Sequence, residues 1–332
     1  MASNLPVFVK FKNTAEHYPP MPEAQNEFRK DFLLNRWVII ASNRGKRPED
    51  YVHSVRTQKQ EGICFFCPGN EHLTPPEISR KEIDGKWAVR VFPNKFYAVS
   101  LEFPNAYGTH EVIVESSNHD HHLSDIPESQ MKTVLQTYCE RIEASRKNPN
   151  LKYAIIFKNQ GHTAGASLGH THTQMITMAH VPTLVRVERE ACKEYNEKTG
   201  KCIFCERVEA ERERLIWEDD NVFCFAPYAS RFSFEHWIMP KRHVGSITEL
   251  NDAELSSLAK CMKTVLGKLD EKLDYPPYNF AFHIDPFNAT GKYYHFHIEV
   301  LPRLNIWAGF ELGAEVYINP MPPETAAKAL RE

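Results

Sequence analysis

GHTHTQMITM (residues 169–178) and YYHFHIEVLP (residues 293–302) are the two passages on which the fold turns. Each sets two histidines two positions apart at the head of an apolar, β-branched run: His170 and His172 in the first, His295 and His297 in the second. Working outward, the same order of features recurs around both. Before the first come GICFFC (62–67), WAVRVFPNKFYAV (87–99), HEVIVESSNH (110–119), LSDIPESQMKTVLQTYCERI (123–142) and YAIIFKNQ (153–160). Before the second come KCIFC (201–205), LIWEDDNVFCFAPYA (215–229), HWIMPKRH (236–243), LNDAELSSLAKCMKTVLGKL (250–269) and YNFAFHI (278–284). A paragraph written twice makes each half one supersecondary unit, which predicts halves at 1–178 and 179–332. The stretch 179–201, polar and bounded by proline, reads as their connector.

Periodicity fills in the units. WAVRV, HEVIVE, YAIIFKN and HTQMITM alternate or run apolar, as do NVFCFA, HWIMP, YNFAFHI and HFHIEVL, and all eight predict strands. Met131, Val134, Leu135, Tyr138 and Ile142 share one helical face. So do Leu255, Leu258, Met262, Val265, Leu269 and Leu273, behind a capping box formed by Asn251 and Glu254. Each half is therefore expected to be a mainly antiparallel sheet carrying a packed helix, an α+β arrangement.

The bulk numbers exclude several functions. A chain of 332 residues, 42% hydrophobic, can bury a large core. Its formal charge of -3 and pI near 6.6 lack the basic excess that a nucleic-acid polymer demands, although a small anionic ligand fits. No apolar run is long enough to cross a bilayer, and MASNLPVFVKFKN lacks a secretory core, so a cytoplasmic protein without membrane attachment is expected.

Four of the eight cysteines form the pairs Cys64/Cys67 and Cys202/Cys205. A cysteine pair with two intervening residues and two downstream histidines offers the four donors that tetrahedral zinc prefers. The intervals match: Cys64 to His119 and His119 to His170 are 55 and 51 positions, and Cys202 to His243 and His243 to His295 are 41 and 52. We therefore expect Cys64, Cys67, His119 and His170 to form one metal site and Cys202, Cys205, His243 and His295 another. His121 and His122 compete with His119 for the first, and His297 with His295 for the second. Zinc is expected, with iron open at the second site. Four protein ligands leave no open position, which makes both sites structural and puts the chemistry elsewhere.

His172 is the candidate for that chemistry. Residues two apart on a strand share a face, so His170 can bind metal while His172 faces an adjoining pocket. A neutral imidazole is a competent nucleophile toward phosphorus once its other nitrogen is held by an acceptor, here expected to be a carbonyl of the GASLG turn (165–169). Gly165, Ser167 and Gly169 let the backbone approach an anion. Ser167 and Gln174 could donate to phosphoryl oxygens. The same glycines and serine would equally serve a plain turn.

These residues resemble the galactose-1-phosphate uridylyltransferases, the transferase branch of the histidine-triad superfamily. The resemblance rests on RWVIIASNRGKRP (36–48), CFFC, FPNKFYAV, FKNQG, GASLGHTHTQ and AGFELGAEVYINPMPPETAAKALR (308–331). Its most specific element is H-x-H-x-Q, since the hydrolase branch usually carries a third histidine where this chain has Gln174. The resemblance implies duplicated histidine-triad-like halves and ping-pong transfer, with His172 attacking the α-phosphorus of a nucleotide sugar and carrying the nucleotidyl group to a sugar 1-phosphate. It also implies phosphate contacts from Ser167, Gln174 and Asn159, phosphate charge met by Arg44 and Arg47, and a nucleotide near Asn94 and Phe96. Glu311 would meet sugar hydroxyls from the partner subunit of a homodimer.

The expected reaction is thus exchange of UMP between UDP-glucose and galactose 1-phosphate. Thr171 stands where many uridylyltransferases have proline. Adenylyl transferases with similar motifs act on ADP-glucose with phosphate as acceptor, and the resemblance extends to them. A third possibility is a metal-stapled nucleotide-binding module without turnover.

Overall fold

A computed structural model describes residues 26–44, 62–289 and 291–332. Among these residues, ten strands form one antiparallel sheet. In the first half these are β3 (Ser79–Ile83), β4 (Lys86–Pro93), β5 (Gly108–Val114), β6 (Tyr153–Gln160) and β7 (His172–Met178). In the second they are β8 (Leu215–Glu218), β9 (Val222–Phe225), β10 (His236–Pro240), β11 (Tyr278–His283) and β12 (His297–Pro302). The strand order, β3-β4-β5-β7-β6-β11-β12-β10-β9-β8, reads the same from either edge once β3 to β7 are matched with β8 to β12. The repeat is thus a duplication whose halves join through β6 and β11, with Phe157 opposite Ala281.

Helices α1 (Glu128–Arg146) and α4 (Asp252–Leu273) each cover one half and pack on each other. Their predicted apolar faces are buried, apart from a partly buried Leu273. The capping box opens α4: Asn251 Oδ1 accepts from the Glu254 N–H at 3.0 Å, and Glu254 Oε2 accepts from the Asn251 N–H at 2.8 Å. The Tyr138 hydroxyl on α1 lies 2.9 Å from Thr173 Oγ1. That contact sets the polarity of β7. Thr173 and Met175 face the helix, so His172 and Gln174 face the other way.

The connector is more than a loop. Residues Thr183–Thr199 form helix α2, followed by α3 (Ile203–Ala210), with Val185, Glu188 and Cys192 buried. A small second sheet joins β1 (Glu27–Lys30) and β2 (Trp37–Ile40) to β13 (Tyr317–Asn319), with β2 and β13 parallel. Asn319 anchors it by donating to the carbonyls of Ser230 at 2.9 Å and Phe232 at 3.2 Å. Between β12 and β13 lies α5 (Gly309–Ala314), and α6 (Pro323–Arg331) closes the chain against β8 and α4.

Candidate active site and metal centres

The CFFC turn, the segment after β5 and the head of β7 converge on one point. There the ligand atoms of Cys64, Cys67, His119 and His170 all lie within 4.8 Å of one another. Cys67 Sγ is 3.3 Å from His119 Nδ1, and Cys64 Sγ is 3.5 Å from His170 Nδ1. Tetrahedral zinc with ordinary bond lengths spaces sulfur and nitrogen ligands about 3.6 Å apart, so the donor set fits a metal. His170 Nε2 donates to the Ser116 carbonyl at 2.7 Å, which leaves the Nδ1 lone pair for the cluster. His121 instead lies 2.9 Å from Ser116 Oγ.

The second half repeats the arrangement with Cys202, Cys205, His243 and His295. Cys205 Sγ is 3.4 Å from His295 Nδ1 and 3.7 Å from His243 Nδ1. His295 Nε2 donates to the Pro240 carbonyl and His243 Nε2 to the Gly291 carbonyl, both at 2.9 Å.

His172 is in the opposite tautomer to His170. Its Nδ1 lies 2.8 Å from the His170 carbonyl, which can only accept, so Nδ1 carries the proton and Nε2 keeps its lone pair. The acceptor is therefore the carbonyl two residues back and not one from the GASLG turn. Burial, followed by the nearby Lys158 charge, holds the His172 imidazole below its ordinary value, which favours the neutral form. Phe66 meets its ring edge-on, with centroids 5.3 Å apart.

A cavity of about 420 Å³ opens beside this imidazole, and Ser167, Gln174, Asn94 and Phe96 line it with Phe65 and Leu168. The turn that presents Ser167 depends on two glycines in the left-handed region, Gly161 (φ 81°) and Gly165 (φ 92°). A Cβ on Gly161 would also approach Pro277 Cβ to 2.9 Å. Phe96 is 84% exposed at the rim, a flat apolar face offered to solvent. Asn159 is half-buried near Gly165, its Oδ1 accepting from Asn279 Nδ2 at 2.8 Å.

Arg44 and Glu311 are not among the side chains that line this cavity. Arg44 is exposed in the turn after β2, and Arg47 falls outside the described residues. Glu311 is on α5, where its Oε2 accepts from the Ala308 N–H at 2.9 Å.

Two features escaped the sequence reading. His110 on β5 has Nε2 2.8 Å from Gln174 Oε1, although HEVIVE read only as a strand. The other is a buried third group of possible metal donors: Glu188, His283, His297 and Glu299. It is already bonded internally, Glu188 to His283 at 3.0 Å and to the Tyr294 hydroxyl at 2.6 Å, and Glu299 to Arg231 at 2.6 Å. His297, weighed above only as a rival ligand to His295, is fully buried within it.

Two family models divide the chain between them. The N-terminal domain of galactose-1-phosphate uridyl transferase matches residues 16–182, and the C-terminal domain matches residues 188–332. The chain belongs to the galactose-1-phosphate uridyl transferase family. Within it, the chain is 35% identical to an ADP-glucose phosphorylase of Arabidopsis thaliana over 92% of each protein. It is 31% identical to a galactose-1-phosphate uridylyltransferase of Thermotoga maritima, covering 92% of this chain and 98% of that one. A crystal structure of an Arabidopsis thaliana ADP-glucose phosphorylase with bound ADP-glucose superposes with a TM-score of 0.83 at 35% identity, covering 93% and 99% of the two chains. A uridylyltransferase structure gives 0.75 at 31% identity, covering 92% and 97%.

Proposed function

We propose that the protein is a nucleotidyltransferase that exchanges UMP between UDP-glucose and galactose 1-phosphate, with His172 as the covalent carrier. The observation that carries this reading is the His172 tautomer: Nδ1–H held by the His170 carbonyl at 2.8 Å, with the Nε2 lone pair available to the cavity that His172 lines. Nε2 attacks the α-phosphorus, the bond to the hexose 1-phosphate oxygen breaks, and that sugar phosphate leaves. An oxygen of the incoming sugar phosphate then attacks the same phosphorus and the P–N bond breaks. Ser167, Gln174 and Asn159 donate to phosphoryl oxygens, Arg44 and Arg47 meet phosphate charge, and Asn94 and Phe96 hold the nucleotide.

A second reading, adenylyl transfer from ADP-glucose to inorganic phosphate through the same histidine, is favoured by the 35% identity to a phosphorylase and by the superposition on its ADP-glucose complex. Both readings use the same residues of this chain and differ in the base and the acceptor.

The two Cys₂His₂ groups hold zinc as structural ions, and the matching donor sets support the same metal at both, with iron the alternative at the second. Residues 1–178 form the half that carries the nucleophile and 179–332 the half whose tail carries Glu311. In a homodimer that tail reaches sugar hydroxyls in the partner's pocket. A cytoplasmic location is part of the same proposal; separately, no helix among the described residues is long and apolar enough to cross a membrane.

The test is single-turnover incubation with radiolabelled UDP-glucose or ADP-glucose, followed by mass mapping of acid-labile label. An adduct on His172 is expected, and its mass tells uridylyl from adenylyl. An adduct on another side chain, or none with either sugar nucleotide, refutes the proposal.

A further inference from the structure

The groups behind the cavity fix the polarity of one side chain within it. Gln174 Oε1 lies 3.2 Å from Asn94 Nδ2 and 2.8 Å from His110 Nε2. Neither contact alone says which end of the glutamine amide is which, because amide and imidazole orientations are read from their partners. Two backbone N–H groups decide it. The Phe96 N–H donates to Asn94 Oδ1 at 2.8 Å, so the nitrogen of Asn94 is the end that faces Gln174. The Ala98 N–H donates to His110 Nδ1 at 3.2 Å. A backbone N–H can only donate, so Nδ1 is the acceptor nitrogen and Nε2 carries the proton.

Asn94 Nδ2 and His110 Nε2 also lie 3.2 Å from each other. Because the Ala98 N–H occupies the Nδ1 lone pair, this is the approach of two donors that converge on one acceptor, and the atom they meet must be the carbonyl oxygen of Gln174. Its NH₂ group is left for the cavity that Gln174 shares with His172 and Ser167. His110 is suited to this task by register. It lies opposite Ile176 on the β5–β7 pair, diagonal to Gln174 on the same face. Burial holds its imidazole below the ordinary value, against the raising effect of the Gln174 hydrogen bond, which keeps the neutral tautomer in place.

We propose that His110 is a positioning residue that fixes the Gln174 amide with its donor end toward the transferred phosphoryl group. This rests on the nucleotidyl-transfer reading given above. A flipped amide would set a carbonyl oxygen against phosphoryl oxygens and turn NH₂ against two donors, so the pair of contacts on Oε1 opposes the flip. The segment from Asn94 to Ala98, which places Phe96 at the cavity rim, supplies both backbone N–H groups that impose this polarity.

The test measures single-turnover formation of the nucleotidyl adduct with whichever of UDP-glucose and ADP-glucose labels the wild type. His110→Phe should slow adduct formation about 10–100-fold, since it loosens a phosphate donor without removing it, while the half-saturating sugar nucleotide concentration moves less than about threefold. His110→Gln, whose amide nitrogen can again donate to Gln174, should recover most of the rate. If His110→Phe does not fold, His110→Asn takes its place, keeping an acceptor for Ala98 and dropping the donor to Gln174. The decisive comparison is with Gln174→Ala. If His110 acts only through Gln174, the double variant is no slower than Gln174→Ala alone within about twofold. Losses that multiply, or a His110→Phe rate within about twofold of wild type, overturn the inference while leaving His172 chemistry intact. A wild type that labels with neither sugar nucleotide removes the functional reading itself, and this inference with it.

Discussion

Replacing Lys158 with methionine tests whether a buried charge pair holds the strand of the proposed nucleophile, His172, in place. Lys158 Nζ lies 2.5 Å from Glu115 Oε2, and both side chains are fully buried. The ammonium also donates to Thr171 Oγ1 and to the His172 carbonyl, each at 2.9 Å, so it grips the head of β7 at His172. Glu115 in turn accepts from Thr171 Oγ1 and the Tyr138 hydroxyl, each at 2.7 Å, and from Thr173 Oγ1. Burial alone would raise the Glu115 carboxyl, but the Lys158 charge and these hydrogen bonds outweigh it and hold the group below its usual range. Lys158→Met leaves that carboxylate buried without its counter-ion, a loss of about 3–5 kcal/mol. For a chain of this length the melting temperature should fall by roughly 4–7 °C. Lys158→Met/Glu115→Gln removes the stranded charge and keeps an oxygen for Tyr138 and Thr173, so most of the loss should return. Urea unfolding at neutral pH, with adduct formation measured alongside, is the assay. A single variant within about 1 kcal/mol of wild type refutes the reasoning, as does a double variant no more stable than the single.

Three further outcomes follow from the same structure. His172→Ala should abolish the acid-labile adduct while metal content and melting temperature stay near wild type, and residual labelling would show another carrier. Cys64→Ser should lose one equivalent of metal by elemental analysis and melt earlier, whereas full occupancy would reassign the ligands. Asp270, buried beside Ser124 with the Asp125 charge nearby, has its carboxyl raised to about 7, chiefly by burial. The unfolded chain releases this proton near pH 4 and the folded chain keeps it until about 7, so stability falls as pH rises through that window, by at most about 4 kcal/mol. Asp270→Asn should therefore stabilise the protein at pH 8 and lose that advantage by pH 4, as pH-dependent urea titrations would reveal; equal effects at both values would contradict it.

What was legible in the sequence was whatever repeats or alternates. The eight predicted strands are strands because their apolar residues alternate or run continuously over a short β-branched stretch, and α1 and α4 are helices because theirs return at the helical period. Edge strands β3 (SRKEI) and β8 (LIWE) are short and face solvent or a bulge, so no alternation marks them. Helix α2 was hidden because its buried stripe includes Glu188, a charge whose partners His283 and Tyr294 lie far along the chain. The parallel pairing of Val38 with Tyr317 leaves no local trace at all. The histidine spacing identified the residues that gather at each cysteine pair. It could not say which carbonyl holds His172, because that depends on side-chain rotation about a fixed backbone.

The duplication also bears on why the proposed chemistry is assigned to one half. His297 occupies the place of His172: its Nδ1 donates to the His295 carbonyl at 3.0 Å, as His172 does to His170. What differs is the space in front of the ring. Opposite Gln174 the first half has Val112, whereas opposite Glu299, the corresponding position, the second half has Trp237. That indole stacks on His297 with centroids 5.0 Å apart, and Phe204 closes in at 4.7 Å. His297 Nε2 is buried with no hydrogen-bond partner among the described residues, while His172 borders an open cavity. A nucleophile must reach its electrophile at bonding distance, and a ring sealed between a tryptophan and a phenylalanine cannot. The second half thus shares the backbone geometry that orients the imidazole and fills the corresponding space with aromatic core. The open nitrogen in the first half is the one arrangement of the two that a phosphoryl group can approach.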